Sequence, residues 1–232
     1  MTTQTPYQSK KAEAWRLMTA VQRADLLNNT VASLADLIGE GDKTDKVLTH
    51  ILAQAQHIDD SAMLTGATGE SNELYNQARG KTVILATKEA KKLPVAAQVV
   101  ASLLTGNQTH LNAPSQEAFA FEVKTIMANV GIDDAVFNLE GASEPQSFDD
   151  MFNDPRLAQV GIVGTVEETH ALAAKLSQTD AMLTQVIAIT DQDELSEIFS
   201  PDYLHRFCSE RVRTINTTAI GGNASLLELG AG

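Results

Sequence analysis

Residues able to do chemistry are few in this chain, and their spacing is informative. Cys208 is the sole thiol, with His205, Arg206 and Arg211 near it in sequence. A thiol becomes a nucleophile when a neighbouring base or the positive end of a helix favours the thiolate. Cys208 falls near the expected end of a short helix, where the helix dipole opposes a thiolate, so a structural cysteine is expected. His50 and His57 share one expected helix face, with Asp59 and Asp60 just beyond. Imidazoles that hold one ion on a helix usually sit three or four positions apart, so these two read as surface histidines. Glu167-Glu-Thr-His170 lacks the second histidine of a zinc-protease helix, and Asp191-Gln-Asp-Glu194 has Ser196 where a calcium loop needs glycine. No metal site is expected. Lys88, Lys91 and Lys92 around Glu89 read as a solvated helix start. Val160-Gly-Ile-Val-Gly-Thr165 comes nearest to a phosphate-binding turn, because the amides of Gly164 and Thr165 open a helix. Dinucleotide and P-loop glycine motifs are both missing, and a tight strand-to-helix turn is the plainer reading.

The tail also carries a pattern. Thr214, Ile215, Asn216, Thr217 and Thr218 are β-prone, Gly221-Gly222-Asn223 favours a turn, and Leu226 and Leu227 add apolar surface. Chain ends are usually featureless, so a patterned end suggests docking.

Bulk properties narrow the class. The chain has 232 residues, 43% of them hydrophobic and 20% charged, which is ordinary for a globular protein. A net charge of −13 opposes binding to nucleic acid or to anionic membranes. No apolar run approaches the roughly 20 residues that span a bilayer. The Met1 start lacks the features of a secretory signal, and one cysteine suits a reducing cytoplasm, so a cytoplasmic protein is expected.

These residues are positioned by a helical start and then an alternating body. Apolar residues at three- and four-residue steps predict a helix over Ser9–Ile38, and a second runs from Thr44 to about Ala62. Thr65 to Asn72 reads as loop. Strands are expected at Thr82–Ala86, Thr109–Leu111, Val136–Leu139, Val160–Val163 and Gln185–Thr190. Helices are expected at Pro94–Leu104, Ser115–Val130, Val166–Leu176 and Asp193–Phe199, with a short one over Pro201–Cys208. Such alternation implies an α/β fold with a Rossmann-like, largely parallel sheet covered by helices on both faces. The expected organisation is an N-terminal helical pair over 1–65, the Rossmann-like domain over 66–210, and a strand-like docking tail over 211–232.

Particular residues then resemble a known family. Trp15, Arg23, Leu26 and Leu27 resemble the first helices of the aldehyde dehydrogenase superfamily. Thr68-Gly-Glu-Ser-Asn-Glu-Leu74, Arg79-Gly80 before a strand, and Gln98-Val99 with Gly106-Asn107 resemble its delta-1-pyrroline-5-carboxylate dehydrogenase branch in bifunctional proline utilization A. Asp154-Pro155 and Val160–Thr165 are similar to the strand that ends in the family's Thr-Gly-Ser. The tail from Thr214 to Leu227 resembles the carboxyl-terminal motif of proline utilization A. Departures fall on the chemistry. In register with the family's Pro-Trp-Asn-Phe-Pro loop stands Thr87-Lys-Glu-Ala-Lys91, so Glu89 replaces the Asn that holds the oxyanion. The ribose-binding lysine is missing from Asn112-Ala-Pro-Ser-Gln116, Thr169 replaces a glycine, and the Glu-Leu-Gly-Gly base segment is absent. The chain is too short for the family's catalytic domain.

The resemblance therefore implies a pseudoenzyme: a non-catalytic lid or scaffold protein in proline catabolism, similar to the carboxyl-terminal domain of proline utilization A, and a separate chain given its Met1 start. Its partner would be a proline utilization A-type enzyme or a second copy of itself, met through Thr214–Leu227. No cofactor is expected, Gly164 and Thr165 being the remnant at which NAD would bind. Two alternatives stand beside this: a minimal NAD-dependent glutamate semialdehyde dehydrogenase using Cys208, and an NAD-binding regulatory module.

Overall fold

The computed structural model describes residues 10–140, 151–179 and 183–216. Strands β3 (Lys81–Ala86), β4 (Gln108–Asn112), β5 (Phe137–Leu139), β6 (Leu157–Val163) and β7 (Gln185–Ile189) form one parallel sheet in the order β5-β4-β3-β6-β7. This is the expected α/β sheet. Its strand order reverses between β3 and β6, which puts a crevice at their carboxyl ends. β3 is central and buried along its whole length, in keeping with a nearly unbroken apolar run. Ile84 and Ala86 face one core and Val83 and Leu85 the other.

Helices α6 (Lys92–Leu104) and α7 (Glu117–Asn129) cover the first face, and α8 (Val166–Leu176) packs on the second. Every residue of α6 from Leu93 to Leu104 is buried, because the amino-terminal helices lie over it. Close approach of α6 to the sheet depends on Gly161: a Cβ there would lie 2.6 Å from Ile84 Cδ1 and 2.8 Å from Gln98 Oε1. Gln98 Nε2 meanwhile donates to the Ile187 carbonyl at 2.8 Å.

The expected helix over Ser9–Ile38 is three: α1 (Lys10–Leu17), α2 (Ala20–Asn28) and α3 (Val31–Ile38). Thr19 ends the first by starting the second, through a capping box with Gln22. Asp59 adds to this start, accepting the Ala20 and Val21 amides at 2.7 and 2.9 Å. The second expected helix is likewise divided into α4 (Asp42–Ala53) and α5 (Ala55–Asp59), and Ala62 already belongs to strand β1 (Ala62–Leu64).

This layer is fixed to the sheet by polar contacts as well as by packing. Trp15 Nε1 donates to the Leu103 carbonyl at 3.1 Å, and Arg23 Nε donates to Leu104 at 2.7 Å. A buried guanidinium at the carboxyl end of α6 satisfies carbonyls that the helix cannot, and opposes the negative end of its dipole. Gly106 has φ +86°, and a Cβ on it would meet Arg23 Nη1 at 3.0 Å, so the turn after α6 needs glycine twice over. Asn107 ties the next corner: Gly80 N donates to its Oδ1 at 3.0 Å, and its Nδ2 donates to the Phe207 carbonyl at 3.1 Å.

Two expectations fail near the ends of the sheet. The Thr65–Asn72 loop stops at Gly69, and Glu70–Ala78 forms strand β2. Asp193–Phe199 forms turns instead of a helix. There Asp191 accepts the Glu194 amide at 3.1 Å, Glu197 Oε1 accepts the Thr190 and Asp191 amides, and buried Leu195 has φ +58°. Pro201–Cys208 holds a short 3-10 helix over Leu204–Phe207, and Cys208 opens strand β8 (Cys208–Asn216). β1, β2 and β8 make a separate antiparallel sheet in that order, in register from Ala78↔Cys208 to Glu70↔Asn216.

Candidate functional site

The crevice between β3 and β6 is where a sheet of this order receives a ligand, and Gly164 and Thr165 stand in it. The donors of this turn are already engaged. Gly164 N donates to the Ile189 carbonyl at 3.2 Å, and Thr165 N donates to Glu168 Oε2 at 2.8 Å. Glu168 N donates back to Thr165 Oγ1 at 3.2 Å, completing a capping box. The Glu167 carboxyl is held below its ordinary range by hydrogen bonds from its own amide and from the Thr165 hydroxyl. Space is taken as well: a Cβ on Gly164 would lie 2.5 Å from Glu168 Oε2 and 2.6 Å from Thr87 Cγ2.

The loops around the crevice are tied to one another. After β3, Thr87 N donates to Val163 O at 3.1 Å, and Lys91 N donates to Gln192 Oε1 at 2.6 Å. Lys91 Nζ pairs with Asp193, and Lys43 Nζ donates to the Asp193 carbonyl at 2.8 Å. Gln116 Nε2 donates to the Ala90 carbonyl at 2.5 Å. Glu89 is exposed on this rim. A pyrophosphate would meet two first-turn carboxylates there, with the amides of Gly164, Thr165 and Glu168 spent on internal acceptors. The residues present do not fit a bound dinucleotide.

Cys208 borders a cleft lined in part by Arg16, Met18, Arg23 and Tyr75, yet it is only 3% exposed. Burial pushes its thiol up to about 12, against the opposing pull of Arg23 and Arg79. It starts a strand instead of ending a helix, and its burial disfavours the thiolate that a nucleophile needs. His50 and His57 are not brought together on one helix. His50 lies in α4, with its Nε2 2.9 Å from Gln54 Nε2 and its ring 4.9 Å from that of Phe199. His57 lies in α5, 3.5 Å from Asp60. Among the described residues no group of three or more His, Cys, Asp or Glu is placed to hold a metal ion.

A charged cluster on the second face of the sheet was not foreseen from sequence. Lys81 Nζ lies 3.0 Å from Asp154 and 3.7 Å from Glu140, whose carboxylate also meets His110 Nδ1 at 2.7 Å. Burial raises the Asp154 carboxyl, but hydrogen bonds from Arg156 and Lys81 outweigh it and bring it down to about 2. Glu140 is lowered by its bond to His110. The cluster fastens both ends of the β5–β6 connection to the sheet. The one sequence signal was a lysine entering an otherwise apolar strand.

Of the ten expected interaction residues, three are among the described residues. Thr214, Ile215 and Asn216 end β8, while Thr217, Thr218, Gly221, Gly222, Asn223, Leu226 and Leu227 lie outside the described residues. The small sheet presents apolar side chains on both faces. Ala62, Leu74 and Val212 form one row, and Met63 and Ile215 stand on the opposite face. Met63 is 68% exposed, and Val212 and Ile215 are each 51% exposed. Glu73 pairs with Arg213, whose guanidinium also lies 5.8 Å from the Tyr75 ring centre.

No protein-family model matches the chain, nor does the sequence of any curated protein. Solved structures do match its fold. Proline utilization A from Bradyrhizobium japonicum superposes with a TM-score of 0.63 at 22% identity, covering 78% of this chain and 21% of that one. Proline utilization A from Bdellovibrio bacteriovorus gives 0.57 at 15% identity, with 77% and 21% covered. Lactaldehyde dehydrogenase from Escherichia coli gives 0.63 at 19% identity, with 78% and 42% covered. The chain thus spans about a fifth of the proline utilization A chains and less than half of the lactaldehyde dehydrogenase. Its fold is therefore shared with a part of proline utilization A and a part of lactaldehyde dehydrogenase.

Proposed function

We propose that this chain is a non-catalytic, aldehyde-dehydrogenase-like structural protein that docks on a proline utilization A-type enzyme of proline catabolism. The observation that carries the proposal is the three-stranded arm. An isolated antiparallel sheet needs a covered apolar face to be stable, and this one bears apolar side chains on both faces in half-exposed positions. A partner surface would cover one face and pair with an edge strand through backbone hydrogen bonds. A buried, protonated Cys208 and Glu89 in place of an oxyanion donor support the non-catalytic part. The likeness in fold to proline utilization A favours that enzyme over a second copy of this chain as the partner.

Co-purification with a proline utilization A-type enzyme, using the full chain and one lacking residues 212–232, tests this reading. Retention of the full chain and loss of the shortened one is expected. Equal retention of both would remove the arm's role. NAD reduction with glutamate semialdehyde that disappears in Cys208→Ala would instead establish the dehydrogenase alternative.

A further inference from the structure

We infer that Glu168 is a built-in occupant of the phosphate position at the β3–β6 crevice, and that it closes this chain to the dinucleotides its fold would otherwise receive. The inference deepens the non-catalytic reading and rests on it for its meaning, but its evidence is local.

Three independent features converge on this one side chain. The first is place: the strand order reverses between β3 and β6, and α8, a full eleven-residue helix, begins there. An anion in such a crevice is held by the free amides of the first helical turn. The second is donor use. The Glu168 carboxylate accepts the Thr165 amide at 2.8 Å, the Ile189 carbonyl takes the Gly164 amide at 3.2 Å, and Thr165 Oγ1 takes the Glu168 amide at 3.2 Å. The third is volume. Gly164 has no side chain, and a glycine just past the end of a buried strand permits close approach from outside. The space in front of it is filled from within the chain, by Glu168 Oε2 at 2.5 Å and Thr87 Cγ2 at 2.6 Å from a built Cβ position. A carboxylate there supplies the negative charge that the helix end favours, so the turn is stable without a ligand. The same charge repels a phosphate group, and the neighbouring Glu167 carboxylate adds to it. The crevice has been converted from a ligand site into a self-satisfied corner.

Charge and volume can be separated. Glu168→Gln retains the bulk and the capping hydrogen bonds and removes the charge. Glu168→Ala removes both. Calorimetric titration of the full chain and the two variants with ADP, and in parallel with inorganic pyrophosphate, reads the outcome directly, with circular dichroism confirming the fold. The wild-type chain is expected to give no saturable heat. Glu168→Ala should bind ADP at least about tenfold more tightly than wild type, and Glu168→Gln should lie between them. Should Glu168→Ala fail to fold, the Gln variant decides alone by the same comparison. Binding of pyrophosphate as well as ADP would place the new contact at the phosphates.

Folded variants that bind no better than wild type would overturn the inference and leave the docking proposal standing. A wild-type chain that binds ADP as tightly as Glu168→Ala would overturn it too. Loss of the non-catalytic reading would show itself separately, as NAD reduction by the wild-type chain.

Discussion

The crevice of the parallel sheet and the antiparallel arm are opposite in kind. Around the crevice, side chains and loop amides satisfy one another: Glu168 with Thr165, Glu197 with Thr190 and Asp191, and Lys91 with Gln192 and Asp193. In the arm, Met63, Val212 and Ile215 are half or more exposed, and among the described residues β8 stands at an edge of its sheet. In this fold the crevice is the usual place for a ligand, so the closed part is where chemistry would be expected and the open part is where it would not. The difference is the one that the docking proposal requires: a crevice whose polar groups satisfy one another, and an arm that leaves apolar side chains exposed.

The contrast can be broken most forcefully by making one kind of substitution in both regions. Ile84→Ala in the fully buried centre of β3 should lower stability by about 2–5 kcal/mol, read from denaturant midpoints. Val212→Ala in the arm should cost no more than about 0.5 kcal/mol in the isolated chain. A comparable loss from Val212→Ala would show that the arm is already covered within the chain.

A smaller effect tests whether the helical layer and the sheet form one unit. Arg23→Ala removes the guanidinium that bonds the Leu104 and Trp15 carbonyls, and should cost about 3 kcal/mol. Unfolding should stay a single transition. Two separated transitions would mean that α1–α5 and the sheet melt independently.

The smallest expected effect lies in acid. Asp154 has its carboxyl depressed to about 2 in the fold, whereas an unfolded aspartate titrates near 4. Its contribution is therefore fully present above about pH 4 and is lost as the pH falls towards 2. Asp154→Asn should be less stable at neutral pH and should show a flatter loss of stability between those limits. An unchanged acid profile would show that the Lys81 cluster does not hold the β5–β6 connection.

Much of the sheet was legible because its strands and helices announce themselves locally. Val166–Leu176 was read correctly at both ends, since Thr165 and Glu168 form a capping signal and the apolar period follows at once. Residues 9–38 misled because the apolar period continues through Thr19 and Thr30, although each precedes a new helix. β2 was missed for the opposite reason: Glu70-Ser-Asn-Glu-Leu-Tyr-Asn-Gln77 has no buried face and hence no alternation to read. Residues 193–199 resembled a helix start, but Glu197 turns back to cap Thr190 and Asp191.

At the crevice, the sequence located Gly164 and Thr165, but the closing of that corner by Glu168 is a matter of distance. The Lys81, His110, Glu140 and Asp154 cluster draws on four separate segments, and no spacing rule joins them. Cys208 was expected to be a buried or half-buried cysteine, and it is buried, although it opens a strand instead of closing a helix.

Hydrogen exchange of the chain alone and in the presence of a purified proline utilization A-type enzyme tests the central claim most directly. Slowing confined mainly to β1, β2 and β8, with the crevice loops unchanged, is the predicted result. A complex in which those three strands exchange at their free rates, while residues 87–91 and 164–168 become protected, would contradict it.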